Sequence, residues 1–216
     1  MNLDQAIKQR RSVRQFEDKS VPKSIVKQII EAANHAPSAC NKQDWRFIVI
    51  DDKKKLSLLS DLGGAYFIKR APIAILVLYS NLTDNIEYND YIQSASAAIQ
   101  NMQLKIYSLG LGGCWVDNLP SKRTVRNIFS IPNIFDPIAL VVLGYPKKKP
   151  RTIKRKHSVD EIYNYNQFNF KQTHTRHYYL TIQVKKLLRK VYINLPNFLK
   201  TKLLPLVRKL EKRDFS

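Results

Sequence analysis

The chain predicts an α+β layer architecture, and three observations carry that expectation. Apolar runs rich in β-branched residues at 46–50, 73–79 and 138–144 have the length of buried strands. Segments with apolar residues at helical spacing lie before and between them. Helices are thus interleaved with strands without strict strand–helix alternation, which disfavours a doubly wound parallel sheet.

Taken in order, residues 4–10 predict a short helix. The Ser20-Val21-Pro22 start signal opens a second, in which Ile25, Val26, Ile29, Ile30 and Ala33 share a face and which ends near Ala36-Pro37. The strand at 46–50 follows, then the strand at 73–79. Ile92, Ala95, Ile99, Met102 and Ile106 mark one face of a long helix that stops at Leu109-Gly110, where glycine suits the C-terminal cap. Residues 113–116 offer another strand, and 122–131 have the period of a short amphipathic helix before Pro132. The composition turns to lysine, arginine and proline over 147–156, the pattern of an exposed arm. Beyond it, 178–193 and 198–210 are amphipathic helix candidates separated by Pro196, and Pro205 kinks or restarts the second.

At 216 residues the chain has room for one well-buried domain and an appendage. The N-terminal residues lack the continuous apolar stretch of an export signal, so a cytoplasmic protein is expected. Cys40 and Cys114 are expected to stay thiols and to pack as small apolar residues. The four histidines are scattered without metal-ligand spacing, and no metal site is expected. The net charge is +20, and residues 171–216 hold twelve Lys or Arg against Glu211 and Asp214, so the tail is a separate electrostatic object.

Three clusters carry candidate chemistry. Arg10-Arg11-Ser12-Val13-Arg14 stands where a helix hands over to an extended segment. Its guanidinium groups and hydroxyl match a phosphate dianion with charge-assisted hydrogen bonds, although such a run also suits a solvated face or a polyanion contact. Residues 36–46, between a helix and a strand, offer Ser38, Asn41 and Gln43 to a planar heteroaromatic edge or a polyol, with small neighbours that permit close approach. Trp45 there is expected to pack under the sheet. Gly110-Leu111-Gly112-Gly113 follows the long helix and either brings backbone N–H groups to a ligand or makes a tight turn. It lacks the G-x-G-x-x-G spacing of a dinucleotide fold.

The ordered set of these motifs resembles the FMN-dependent nitroreductase family. The motifs are Arg10-Arg11-Ser12-Val13-Arg14-x-Phe16, Val21-Pro22, Ala36-Pro37-Ser38, Asn41-x-Gln43-x-Trp45, Gln100-Asn101-Met102, Gly110-Leu111-Gly112, Cys114-Trp115 and Gly144-Tyr145-Pro146, followed by a late basic residue. The resemblance covers residues 1 to about 167. It implies a nitroreductase-like fold with a central mixed or antiparallel sheet of about four to five strands flanked by helices. It further implies an FMN-binding domain at 1–168, a basic amphipathic helical extension at 169–216, and an intertwined homodimer with flavin at the interface.

By the same resemblance, Arg10, Ser12 and Arg14 would grip the FMN phosphate with Arg11 close by. Arg155 would close over it, with Lys154 as the competing choice. Pro37, Ser38, Ala39, Asn41 and Gln43 would line the ribityl chain and ring from the neighbouring subunit, and the backbone of Leu111, Gly112 and Gly113 would lie near the ring. The chemistry would rest on FMN, with no catalytic side chain required, passing hydride from NADH or NADPH to a small organic acceptor in ping-pong fashion. Two departures stand out. Asp44 occupies a position where proline is common, and 81–91 is too short and polar for an elaborate substrate cover. A specialised biosynthetic reductase of the same fold is the first alternative, and a non-enzymatic polyanion- or membrane-binding protein the second. The basic tail fits packing on the dimer or another subunit first, attachment to an anionic membrane surface second, and nucleic acid least.

Overall fold

The computed structural model describes residues 2–85, 87–151, 153–170, 176–196, 199, 202, 203 and 205, with backbone alone for Arg176, His177 and Ile193. Helix α1 spans Leu3–Gln9, where Asn2 and Gln5 form a reciprocal capping box that satisfies first-turn N–H groups. Helix α2 is Lys23–Asn34 and follows Pro22, whose missing N–H and fixed φ suit a helix start. Strand β1 is Trp45–Ile50, helix α3 Lys53–Asp61, strand β2 Ile73–Ser80 and helix α4 Asp90–Ser108. Strand β3 is Gly112–Val116, helix α5 Lys122–Phe129, strand β4 Phe135–Gly144 and helix α6 Arg176–Asn194. Single turns of 3-10 helix occupy Ala39–Asn41 and Ile68–Arg70.

Helix α3 is absent from the sequence expectations, because its Lys53-Lys54-Lys55 opening masks a short apolar face. Asp52 caps it, its side chain accepting from the N–H groups of Lys54 and Lys55 at 2.8 and 3.4 Å, and Leu56 and Leu59 are buried beneath. Strand β4 starts three residues before the expected Ile138. Its Pro137 cannot donate to a ladder, and the register against β2 shifts between Val77 and Leu78, so that Ile138 is taken up as an irregularity.

Among the described residues one sheet forms, in the order β1-β2-β4-β3, with every neighbouring pair antiparallel. All eight residues of β2 are buried, and they divide by alternation. Ile73, Ile75, Val77 and Tyr79 join Val141 and Leu143 against Val26, Ile29 and Ala33 of α2 and Ala95, Ile99, Met102 and Ile106 of α4. Ala74, Leu76 and Leu78 join Leu140 and Val142 on the other face against Leu56 and Leu59 of α3, Val125 of α5, and Val13, Phe16 and Phe67. The sheet is covered on both sides, which is why its central strands read as continuous apolar runs. Each fully buried Leu or Ile contributes roughly 1.5–3 kcal/mol.

The chain divides into two units, 1–151 and 152–216. The division falls inside the basic arm at 147–156, ahead of the boundary at 168 that the resemblance suggests. In the second unit, His157 pairs with Glu161 at 3.1 Å, Asn164 Nδ2 donates to the Asn169 carbonyl, and the ring pairs Tyr163–Tyr165 and Phe168–Phe170 meet edge to face. Helix α6 realises the expected helix at 178–193; the expected helix at 198–210 lies almost wholly outside the described residues.

Candidate functional site

Two of the three sequence clusters meet at one end of the sheet. The segment after α1 runs along the free edge of β3: Ser12 bridges Gly113 in parallel fashion, and Val13 N–H donates to the Gly113 carbonyl at 2.9 Å. Further on, Phe16 bridges Pro146, Glu17 N–H donates to the Tyr145 carbonyl at 2.9 Å, and Lys147 N–H donates to the Gln15 carbonyl at 3.1 Å. Burial of Val13 and Phe16 anchors this segment. Gly112 permits the approach, since a Cβ there would stand 2.6–2.9 Å from the Val13 side chain. Gly144 does the same on β4, where a Cβ would meet Pro72 at 2.5 Å.

Arg10 caps α1 and is half-buried, while Ser12 and Arg14 are exposed. Arg14 lies with its Cζ 5.5 Å from the Phe67 ring centroid, a cation–π contact that holds its stem. Arg11 is turned inward: its Nη1 donates to the carbonyls of Lys8 and Arg10 at 2.8 and 2.7 Å, and its buried Nε has no hydrogen-bond partner among the described residues. Cys114 Sγ donates to the Trp115 carbonyl at 3.5 Å. Burial pushes the Cys114 thiol above its ordinary value of 9.0, against the opposing pull of Arg14, the nearby Ser12 hydroxyl and Arg10, so the thiol is neutral at physiological pH. Cys114 is buried as expected; Cys40 is exposed, because the loop that carries it turns outward. Leu111 is buried, with its N–H donating to the Ile106 carbonyl.

The remaining cluster, Pro37 to Gln43, sits at the other end. Ala39 N–H donates to Ser94 Oγ of α4 at 3.0 Å, and that hydroxyl donates to the Asp90 carbonyl at 2.9 Å. Gln43 N–H donates to Ser38 Oγ at 3.1 Å, and Gln43 Nε2 to Asn41 Oδ1 at 2.6 Å. Cys40, Asn41 and Gln43 have φ of 50°, 54° and 51°. Asparagine tolerates this left-handed region, whereas each of the other two costs about 1–2 kcal/mol. Strain of this kind persists only where the surrounding structure holds it, here through the bonds to Ser38 and Ser94. Pro37 is exposed at the loop's start, and Asp44 accepts from Ser80 N–H through its carbonyl at 3.2 Å. Trp45 packs under the sheet, donating from Nε1 to Asn34 Oδ1 at 2.8 Å and meeting Tyr79 edge to face.

The register measures the separation of the two ends. Trp45 is level with Tyr79, Tyr79 with Asp136, and Gly113 with Leu143. Seven residue steps from Asp136 to Leu143 amount to about 23 Å at about 3.3 Å each. Helix α4 gives a second ruler: Ser94 holds the loop, and Ile106 is the side chain that a Cβ on Gly113 would meet. Those twelve residues span about 18 Å. Ser94 is the residue that sequence reasoning missed, and its only signal is a hydroxyl among the small residues of an apolar helix face. Lys154 and Arg155 are exposed in the second unit.

Fold and clusters together define a three-layer α+β protein with polar groups gathered at both ends of a four-stranded antiparallel sheet. The nitroreductase family model matches residues 7–62 and 53–145. A putative NADH dehydrogenase/NAD(P)H nitroreductase of Methanothermobacter thermautotrophicus is 36% identical over 157 residues, covering 70% of this chain and 81% of that protein. An FMN reductase [NAD(P)H] of Bacillus subtilis is 28% identical over 164 residues, covering 65% of this chain and 66% of that protein. Among solved structures, an FMN-dependent nitroreductase from Clostridium difficile R20291 superposes with a TM-score of 0.68 at 30% identity, over 77% of this chain and all of that one. The chain belongs to the nitroreductase family.

Proposed function

We propose that this protein passes hydride from NADH or NADPH, by way of FMN bound at the interface of a homodimer, to a small organic acceptor such as a nitroaromatic, a quinone, a flavin or an unsaturated metabolite. It is an FMN-dependent NAD(P)H oxidoreductase. The observation that carries the reading is the seating of Ser12 and Val13 on Gly113, which gathers Arg10, Ser12 and Arg14 at one end of the sheet.

The residues present fit the cofactor. Two guanidinium groups and a hydroxyl suit a phosphate, and charge-assisted hydrogen bonds of this kind are worth about 1.5–3 kcal/mol each. Arg11, tied to main-chain carbonyls, braces the segment from beneath. Leu111, Gly112 and Gly113 present backbone to one side of the ring. Pro37, Ser38, Ala39, Asn41 and Gln43 line the ribityl chain and ring, and the length of the sheet supports their coming from a second copy of the chain. The strained loop, bonded to Ser94, is fixed before any ligand arrives, so little ordering cost falls on binding.

When bound, FMN supplies the two-electron chemistry, accepting hydride from the nicotinamide and delivering it to the second substrate. The protein's part is to orient the ring, exclude water and admit donor and acceptor in turn to one pocket, which gives ping-pong kinetics. Reduced nicotinamide as donor supports a reaction in the cytoplasm. A visible spectrum tests the proposal. The purified protein should be yellow, should bleach with NADH or NADPH in the absence of oxygen, and should regain colour on addition of a quinone or nitroaromatic. A colourless preparation that also refuses added FMN sinks the reading.

A further inference from the structure

We propose that helix α6 is a peripheral anchor that lays the protein on an anionic lipid surface. The inference goes beyond the redox reading and does not depend on it. Leu180, Val184, Leu187, Leu188 and Val191 recur at spacings of four, three, one and three, which on a helix gathers them into one stripe. Among the described residues that stripe is uncovered: Val184, Leu187 and Leu188 are 57%, 63% and 61% exposed. At about 100° per residue, Lys185 and Lys190 border it on opposite sides, with Lys186 and Arg189 behind. Tyr178 and Tyr179, rings with a polar tip, are exposed in its first turn.

Charge decides the occupant. Residues 162–210 contain ten Lys or Arg and no Asp or Glu. Residues 1–151 hold 22 Lys and Arg against 13 Asp and Glu, a net +9, and residues 152–216 hold 15 against 4, a net +11. A second copy of this chain would therefore set positive charge against positive charge around the stripe. Nucleic acid would take the cations and leave the leucines in water. An anionic bilayer takes both, since apolar side chains sink to the acyl boundary while lysine stems reach back to the headgroups. No described helix is long and apolar enough to cross a membrane, so the association is with its surface.

The test uses the full chain and two vesicle preparations, phosphatidylcholine alone and an equal mixture with phosphatidylglycerol. Co-sedimentation with the mixture, weakening as salt rises, and none with phosphatidylcholine alone are expected. Changing Lys186→Gln and Lys190→Gln together lowers the partition coefficient about 25-fold, from about fivefold per cation. Changing Leu187→Ser and Leu188→Ser lowers it at least about tenfold, with oligomeric mass and visible spectrum unchanged. Equal binding to both vesicles, or none, overturns the proposal. So does a partition indifferent to the leucines, or a drop in oligomeric mass in the leucine variant, which would show that the stripe closes on a second copy.

Discussion

Replacing Gly112 with alanine tests whether the close seating of Ser12 and Val13 on β3 is what builds the basic end of the site. Gly112 is an ordinary strand residue, so the substitution acts through space alone. The new methyl would stand 2.6 Å from Val13 Cγ2, 2.7 Å from its Cβ and 2.9 Å from its Cγ1. Ordinary carbon–carbon contact begins near 3.5 Å, so the segment must retreat by about 1 Å. The Val13 N–H, now 2.9 Å from the Gly113 carbonyl, goes with it. Overpacking costs about 1–3 kcal/mol and the weakened hydrogen bond about 0.5–1.5 kcal/mol, which together give about 1.5–4.5 kcal/mol. For a chain of this size that is a fall of roughly 3–18 °C in Tm. The displaced Ser12 should also loosen FMN, and titration of the apoprotein by flavin fluorescence quenching is expected to show at least about tenfold weaker binding, the equivalent of 1.4 kcal/mol. The paired change Gly112→Ala with Val13→Ala removes two of the three clashing atoms but keeps Val13 Cβ at 2.7 Å, so it should recover only part of the flavin affinity. If Gly112→Ala alone leaves both Tm and affinity where they were, the seating is not what forms the site.

Three further outcomes are expected. Ser94→Ala strips the acceptor from Ala39 N–H, a loss of about 1–3 kcal/mol for a donor left unmet, and should weaken flavin binding by about five- to 150-fold; unchanged binding would mean that the loop does not need α4. Asp136 is buried, which by itself raises its pKa, but hydrogen bonds from Lys122 and Asn81 and the charges of Lys122 and Arg126 outweigh this and hold it below 3.8. Its stabilisation is thus present above the unfolded value near 3.9 and lost as pH falls through the lower folded one. Asp136→Asn should cost about 1–3 kcal/mol at pH 7, discounted for the half-exposed Lys122, and the gap in denaturant midpoint should close below about pH 4; a gap constant with pH would rule out the charge as its source. Finally, a disulfide reagent should modify exposed Cys40 at once in the native protein and buried Cys114 only on denaturation, as peptide mapping of the adduct would show.

What was legible in the sequence follows from how local each signal is. The period of Ile25, Val26, Ile29 and Ala33 announces α2, and the continuous apolar run over 73–79 announces a strand buried on both faces, because each pattern is the direct imprint of one element's surroundings. Helix α3 escaped because its first turn is three lysines, and only the capping role of Asp52, visible once the turn is built, gives it away. The strained loop escaped for a related reason: nothing in Cys40-Asn41-Lys42-Gln43 says that cysteine and glutamine adopt φ near +50°, a conformation imposed by Ser38 and Ser94 from outside the run.

The arrangement of the site was legible only in part, because clusters contiguous in sequence are placed by strand order. Putting β3 beside β4 at the edge, with α4 leading into it, leaves an unpaired β3 flank on which only an extended neighbour can settle, and Ser12-Val13 takes it. The same order sends the loop before β1 to the far end, level with Asp136 and not with Leu143. No rearrangement of loops within one chain shortens that distance, since the strands that fix it form the core. In the proposed homodimer a two-fold partner would shorten it, by setting its loop end beside the other's basic end, and a two-fold would do so twice. Under the proposed reading, a flavin-to-chain ratio of one in a particle of twice the chain mass is the expected stoichiometry, and a flavin-loaded monomer would overturn it.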